Sequence, residues 1–99
     1  MPKSYLDVEK LEEAAKKLKA MAHPMRIAIV ELLQNNKKLS VTQIYKKLNI
    51  EQAITSHHLG ILKDKGIVSS SRVGKNIFYE LKHKQISHIV DCINSCGSR

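Results

Sequence analysis

Long apolar runs are missing from this 99-residue sequence. The longest uninterrupted one, Ile27-Ala28-Ile29-Val30, is a fraction of the roughly 20 residues that a membrane-spanning helix needs, which excludes insertion into a bilayer. Cysteine is scarce as well. Cys92 and Cys96 stand alone at a helical spacing that holds both on one rigid turn and suits an intrachain disulfide poorly, so thiols are expected in a reducing compartment. Four glycines are dispersed and form no phosphate-cradling loop. No nucleophile-base pair or paired carboxylate accompanies them, which argues against an enzyme. Met1 to Lys10 lacks the apolar segment of a secretory signal, and a cytoplasmic location is expected. The last shortage is of acidic residues: nine Asp plus Glu face seventeen Lys plus Arg, leaving a net charge of +8. Such a field attracts polyanions, of which nucleic acid remains once the membrane is set aside.

What is present fits one domain over residues 1–99, mainly α with a small β-hairpin. Leu11, Ala14, Ala15, Leu18 and Ala22 recur at helical spacing and predict a first helix from about Tyr5 to Met21. Proline is tolerated in a first helical turn and not inside a helix, so Pro24 starts a second one. That helix carries Ile27, Ile29, Val30, Leu32 and Leu33, is apolar nearly all round and belongs in the middle of the domain. Ser40 caps a short third helix, Val41 to Leu48, and Asn49 is a left-handed terminator. A fourth helix from about Glu51 to Lys65 stops at Gly66. Two helices joined by about three residues have the spacing of a helix-turn-helix, here about residues 41–65.

Around the fourth helix, at about 100° per residue, Ile61, Ile54, His58, Leu62, Thr55 and Leu59 fill one arc, expected to face the core. The opposite arc holds Gln52, Lys63, Ser56, Gly60, Ala53 and His57, none of them large and apolar. A helix entering a major groove needs short side chains where it meets the backbone walls and a few longer donors for base edges, and Gln52, Ser56, His57 and Lys63 meet that need. A merely solvated face has the same polarity. The basic total and the neighbouring elements favour the first reading.

Ile67 to Val73 and Ile77 to Leu81 are two β-prone runs with Gly74-Lys75-Asn76 between them, a wing over about residues 67–82. Its tip carries Arg72 and Lys75, placed to grip phosphates or enter a minor groove. A final helix, about residues 84–95, sets Ile86, Ile89, Val90 and Ile93 along one stripe with no evident partner inside the domain. The first helix has a similar stripe. Together they are expected to form the seam of a homodimer, the alternative being a monomer that folds both helices onto its own core.

The stretch Leu18-Lys19-Ala20-Met21-Ala22-His23-Pro24-Met25-Arg26-Ile27, then Leu39-Ser40-Val41-Thr42-Gln43-Ile44, then Thr55-Ser56-His57-His58-Leu59 through Leu62-Lys63-Asp64-Lys65-Gly66-Ile67-Val68, and Arg72-Val73-Gly74-Lys75 with Tyr79-Glu80-Leu81, resembles the ArsR/SmtB family of bacterial repressors over nearly the whole chain. The resemblance implies a dimeric winged helix-turn-helix that represses transcription from a double-stranded operator until a small inducer weakens its grip. It also implies that Gln52, Ser56 and His57 read the groove; Ala53 departs from the family's more usual serine.

By the same resemblance, the thiolate pair of arsenic and cadmium sensors falls on Ser40 and Thr42, neither a soft ligand. The zinc positions fall on His83, Gln85, Cys96 and Arg99, of which only two can ligate. No required cofactor is expected. A different set, His88, Cys92 and Cys96, lies at successive i, i+4 positions and could present an imidazole and two thiols to a soft metal, an arsenical or an oxidant. A winged helix turned protein-binding module is the rival function, for which the recognition face would be apolar or acidic.

Overall fold

Local side-chain chemistry sets the element boundaries in the computed structural model, which describes residues 8–97 except the side chains at 85, 93, 94, 96 and 97. The order is α1 (Val8–Met21), α2 (Pro24–Asn35), β1 (Leu39–Ser40), α3 (Val41–Leu48), α4 (Gln52–Asp64), β2 (Val68–Val73), β3 (Asn76–Leu81) and α5 (Gln85–Gly97). Pro24 opens α2 behind an extended His23, whose Nδ1 accepts a hydrogen bond from the Met25 N–H at 3.1 Å. Ser40 starts α3 with a reciprocal pair: its Oγ accepts from the Gln43 N–H at 3.1 Å, and Gln43 Oε1 accepts from the Ser40 N–H at 2.9 Å. Each bond satisfies a backbone donor that the helix cannot. Ser40→Ala is therefore expected to cost about 1 kcal/mol, a fall in Tm of roughly 4–8 °C, readable in a thermal melt.

Asn49 ends α3 in the left-handed region, φ 55° and ψ 48°, as its short polar side chain allows. Gly74, at φ +63°, makes the two-residue turn between the paired Val73 and Asn76. The hairpin gains a strand that sequence periodicity did not announce: Leu39 and Ser40 pair antiparallel with Tyr79 and Phe78, giving a sheet of order β1-β3-β2. A two-residue strand is too short to show alternation. It forms because the second edge of β3 would otherwise leave backbone groups unpaired.

Helix α2 is central, as its composition predicts, and touches α1, α3, α4, α5 and β3. Ile29 and Val30 are fully buried, with Leu33 nearly so. Around them close Ile44 from α3, Leu59 and Leu62 from α4, Ile67 and Val68 before and in β2, and Val90 from α5. Burying one such side chain contributes about 1.5–3 kcal/mol.

Here one expectation is corrected. Helix α5 does have a partner inside the domain: Ile86 and Val90 enter the core against α2, and Gln34 Nε2 donates to Asp91 Oδ1 at 2.7 Å between the two helices. Ile89 on the same stripe is only half-buried. Helix α1 is the opposite case. Only Ala20 and Met21 are buried in it, and Val8, Leu11 and Leu18 are 64%, 57% and 51% exposed.

Candidate nucleic-acid interface

Three residues, Asn49, Ile50 and Glu51, join α3 to α4. The turn is closed by the Ile50 N–H donating to the Tyr45 carbonyl at 3.1 Å. Glu51 caps α4 through its backbone: its carbonyl accepts from both the N–H and the hydroxyl of Thr55, each at 3.0 Å. Thr55 can thus be wholly buried without an unsatisfied hydroxyl. With His58, Leu59 and Leu62 it locks the inner face of α4 into the domain.

The outer face is exposed at every position the helical period assigned to it: Gln52, Ala53, Ser56, His57, Gly60 and Lys63. A Cβ added at Gly60 would meet nothing within 4 Å. The fold itself does not demand a glycine there, although glycine inside a helix costs about 0.5–1 kcal/mol relative to alanine.

Ile54 is misplaced by the period. It was expected on the core face, yet it is 43% exposed and, with Asn49, Ile50 and Glu51, lines a shallow open depression beside the turn. Its azimuth is at the edge of the apolar arc, and it stands in the first turn of α4 beside the open turn. Ile61, two turns on at nearly the same azimuth, is half-buried against the core.

The wing brings its positive charge where the sequence places it. Arg72 and Lys75 are exposed at and beside the Gly74-Lys75 turn, and β2 packs against α4. Lys63, Arg72 and Lys75 enter neither of the ion pairs Lys38–Glu80 and Lys65–Asp64, each at 4.0 Å. Their charge is available to a ligand.

Behind α4 lies a group that the sequence reading missed. Arg26 of α2 donates from Nε to His58 Nδ1 at 3.2 Å and from Nη1 to the Ala20 carbonyl at 3.0 Å. The His23 and His57 rings stand 4.6 and 5.7 Å from His58. Burial, then the positive charge of His23, Arg26 and His57, holds His58 below the ordinary histidine pKa of 6.5. His58 therefore carries its proton on Nε2 and offers Nδ1 as an acceptor. Unfolded chain takes up a proton more readily than folded chain, so the stability this group contributes is full above about pH 6.5 and declines below it.

On α5, His88 and Cys92 are both exposed, whereas the side chain of Cys96 lies outside the described residues. Among the described residues no three His, Cys, Asp or Glu side chains are placed to share a metal ion. Ser40, at one position of the family's thiolate pair, is committed to capping α3.

Two short helices across a three-residue turn, followed by a basic two-stranded wing, make this a winged helix-turn-helix protein, a fold used by many transcriptional regulators. The profile of bacterial regulatory proteins of the ArsR family matches residues 23–70, from the cap of α2 into β2. The transcriptional repressor PagR of Bacillus anthracis is 38% identical over 84 residues, covering 85% of this chain and 84% of PagR. Its crystal structure superposes with a TM-score of 0.81 over 88% of this chain and 99% of its own, at 36% identity. The repressor SmtB of Mycobacterium tuberculosis is 38% identical over 90 residues, 90% of this chain and 66% of SmtB. The structure of the repressor BigR from Xylella fastidiosa, at 28% identity, superposes with a TM-score of 0.85 over 100% of this chain and 99% of BigR. The chain belongs to the ArsR family of bacterial regulatory proteins.

Proposed function

We propose that the chain represses transcription in the cytoplasm by binding operator DNA as a homodimer, with α4 in the major groove and the wing tip on the adjacent backbone or minor groove. One observation carries the reading: α4 is anchored by one face and bare on the other, and the bare face is small and polar around Gly60. Gln52, Ser56 and His57 reach base edges in this arrangement. Ala53 lies against the backbone wall, and Lys63, Arg72 and Lys75 meet phosphates.

A dimer suits both the operator and the surface of the protein. Two copies read half-sites about one duplex turn apart. The exposed stripe of α1 and the half-buried Ile89 of α5 flank a groove of about 360 Å³ lined by Ala14, Lys17, Leu18, His83, Ile86 and Ile89. Helices α1 and α5 form the seam across this groove, α5 with the face that Ile86 and Val90 leave free.

An inducer that favours a dimer with misplaced recognition helices binds less tightly when DNA is present, because the coupling is reciprocal. Exposed His88 and Cys92 offer an imidazole and a thiol to a soft metal, an arsenical or an oxidant. Two donors do not by themselves define a metal site.

The test is selection of a duplex from a randomised pool, followed by anisotropy titration at two salt concentrations. Affinity is expected to fall steeply with salt. Gln52→Ala or His57→Ala should lose about 1–3 kcal/mol of base discrimination, whereas Arg72→Ala or Lys75→Ala should weaken all duplexes alike and reduce the salt slope by about 1. Unchanged affinity in all four variants would discard these assignments. Failure of any duplex to bind would favour a protein-binding module.

A further inference from the structure

His58 stands between the surface proposed to read DNA and the corner where α1 meets α2. It lies on α4 next to exposed His57, is itself only 6% exposed, and takes a hydrogen bond from an arginine 32 residues away in sequence. That arginine has a second bond, to the carbonyl of Ala20 in the last turn of α1. One guanidinium thus ties α2 to both α1 and the recognition helix. We propose that Arg26 and His58 form a latch that holds α4 in its DNA-binding orientation only while His58 is neutral, making His58 a positioning residue for operator recognition and DNA affinity acid-sensitive.

The chemistry follows from the donor count. Neutral imidazole has one acceptor nitrogen, and Arg26 uses it. Protonated imidazole has none, and both ring nitrogens become donors facing a permanent cation. The bond becomes a repulsion at 3.2 Å.

The neighbours act in the same direction. His23 comes from the linker before α2, Arg26 from α2 and His57 from α4 itself, and each opposes positive charge on His58. From α1 comes the Ala20 carbonyl, which is bonded to Arg26, while Lys17 reaches Gly66 beyond the end of α4. Among the described residues, α3 and β2 bring none of the charges that act on His58. Among the described residues, no carboxylate is one of the charges that act on His58. A chain in which α4 has moved away from α2 lets His58 take a proton in water, so acid draws molecules from the latched to the released population. Affinity falls in proportion to the latched fraction.

This inference rests on α4 being the DNA-reading helix, and the experiment separates the two. Anisotropy titrations of the selected duplex run from about pH 8 to about pH 5.5, with circular dichroism and sedimentation at each pH. Affinity is expected to fall towards about tenfold per pH unit at the acid end while helix content and mass stay constant. His58→Asn, whose amide oxygen can accept from Arg26 at any pH, should recover most of the affinity that His58→Ala loses, and its affinity should be flat with pH. His23→Asn, which can still cap α2, and His57→Asn should both keep the acid-induced loss, whatever their own affinities.

Absence of binding at about pH 8 would remove the DNA reading and the latch with it. Binding at that pH with a flat profile in the unmodified protein would overturn the latch alone. So would an acid-induced loss that persists in His58→Asn, or one that merely tracks loss of helix signal.

Discussion

Leu18→Asp is expected to halve the mass of the protein in sedimentation equilibrium and to lower its affinity for a two-half-site duplex by about 10²–10⁴-fold, the gain that a second linked contact provides. The size of the effect comes from where Leu18 stands. At 51% exposure it contributes little to the fold of its own chain, and an aspartate there would be solvated in a monomer. Val8, Leu11 and Leu18 recur at helical spacing on one stripe of α1, and such a stripe left in water is what a specific interface removes. A carboxylate carried twice into the seam, once from each copy, loses its hydration against Ala14, Ile86 and Ile89, a cost that an ion pair with Lys17 of the same groove does not fully repay, and so opposes assembly. The operator then meets one recognition helix at a time. Retained helical circular dichroism would show that assembly and not folding has failed. A variant that remains dimeric, or that is monomeric and binds as tightly as before, would refute the seam.

Features decided by a single residue and its neighbours were legible in the sequence. Pro24, Ser40 and Asn49 each set a helix boundary through chemistry confined to one turn, and all three do so in the fold. The outer face of α4 was legible for a related reason. Helical rotation alone puts Gln52, Ala53, Ser56, His57, Gly60 and Lys63 together, whatever the helix packs against.

What escaped depends on distance. The β1 strand exists only because β3 has a second edge, and nothing within Leu39-Ser40 says so. The stripe of α5 reveals apolar residues without naming their partner. The structure divides it, with Ile86 and Val90 going to α2 and Ile89 left half-buried. The bond from Arg26 to His58 spans 32 positions, and no periodicity reaches that far. An arginine in the first turns of the central helix was the available signal, because guanidinium donors drawn toward a core require acceptors.

The same limit yields the second large effect, a contrast between two residues that the helical arc treats alike. Leu59→Ala is expected to destabilise the domain by about 2–5 kcal/mol, since Leu59 is fully buried and its loss leaves a cavity between α4 and the rest of the core. A domain of this kind has about 5–15 kcal/mol in total, so that substitution removes a large share of it. Ile54→Ala removes an almost equal volume from the same helix, but much of the side chain is already in water. Alanine also returns a few tenths of a kcal/mol in helix propensity, so the net cost should be within about 1 kcal/mol. Urea denaturation of both variants measures the difference directly. Rotation around a helix axis fixes the direction in which a side chain points; the length of the neighbouring elements fixes whether anything is there to meet it. Equal losses in the two variants would mean that Ile54 is covered in solution, and that the first turn of α4 is less accessible to DNA than its exposed neighbours imply.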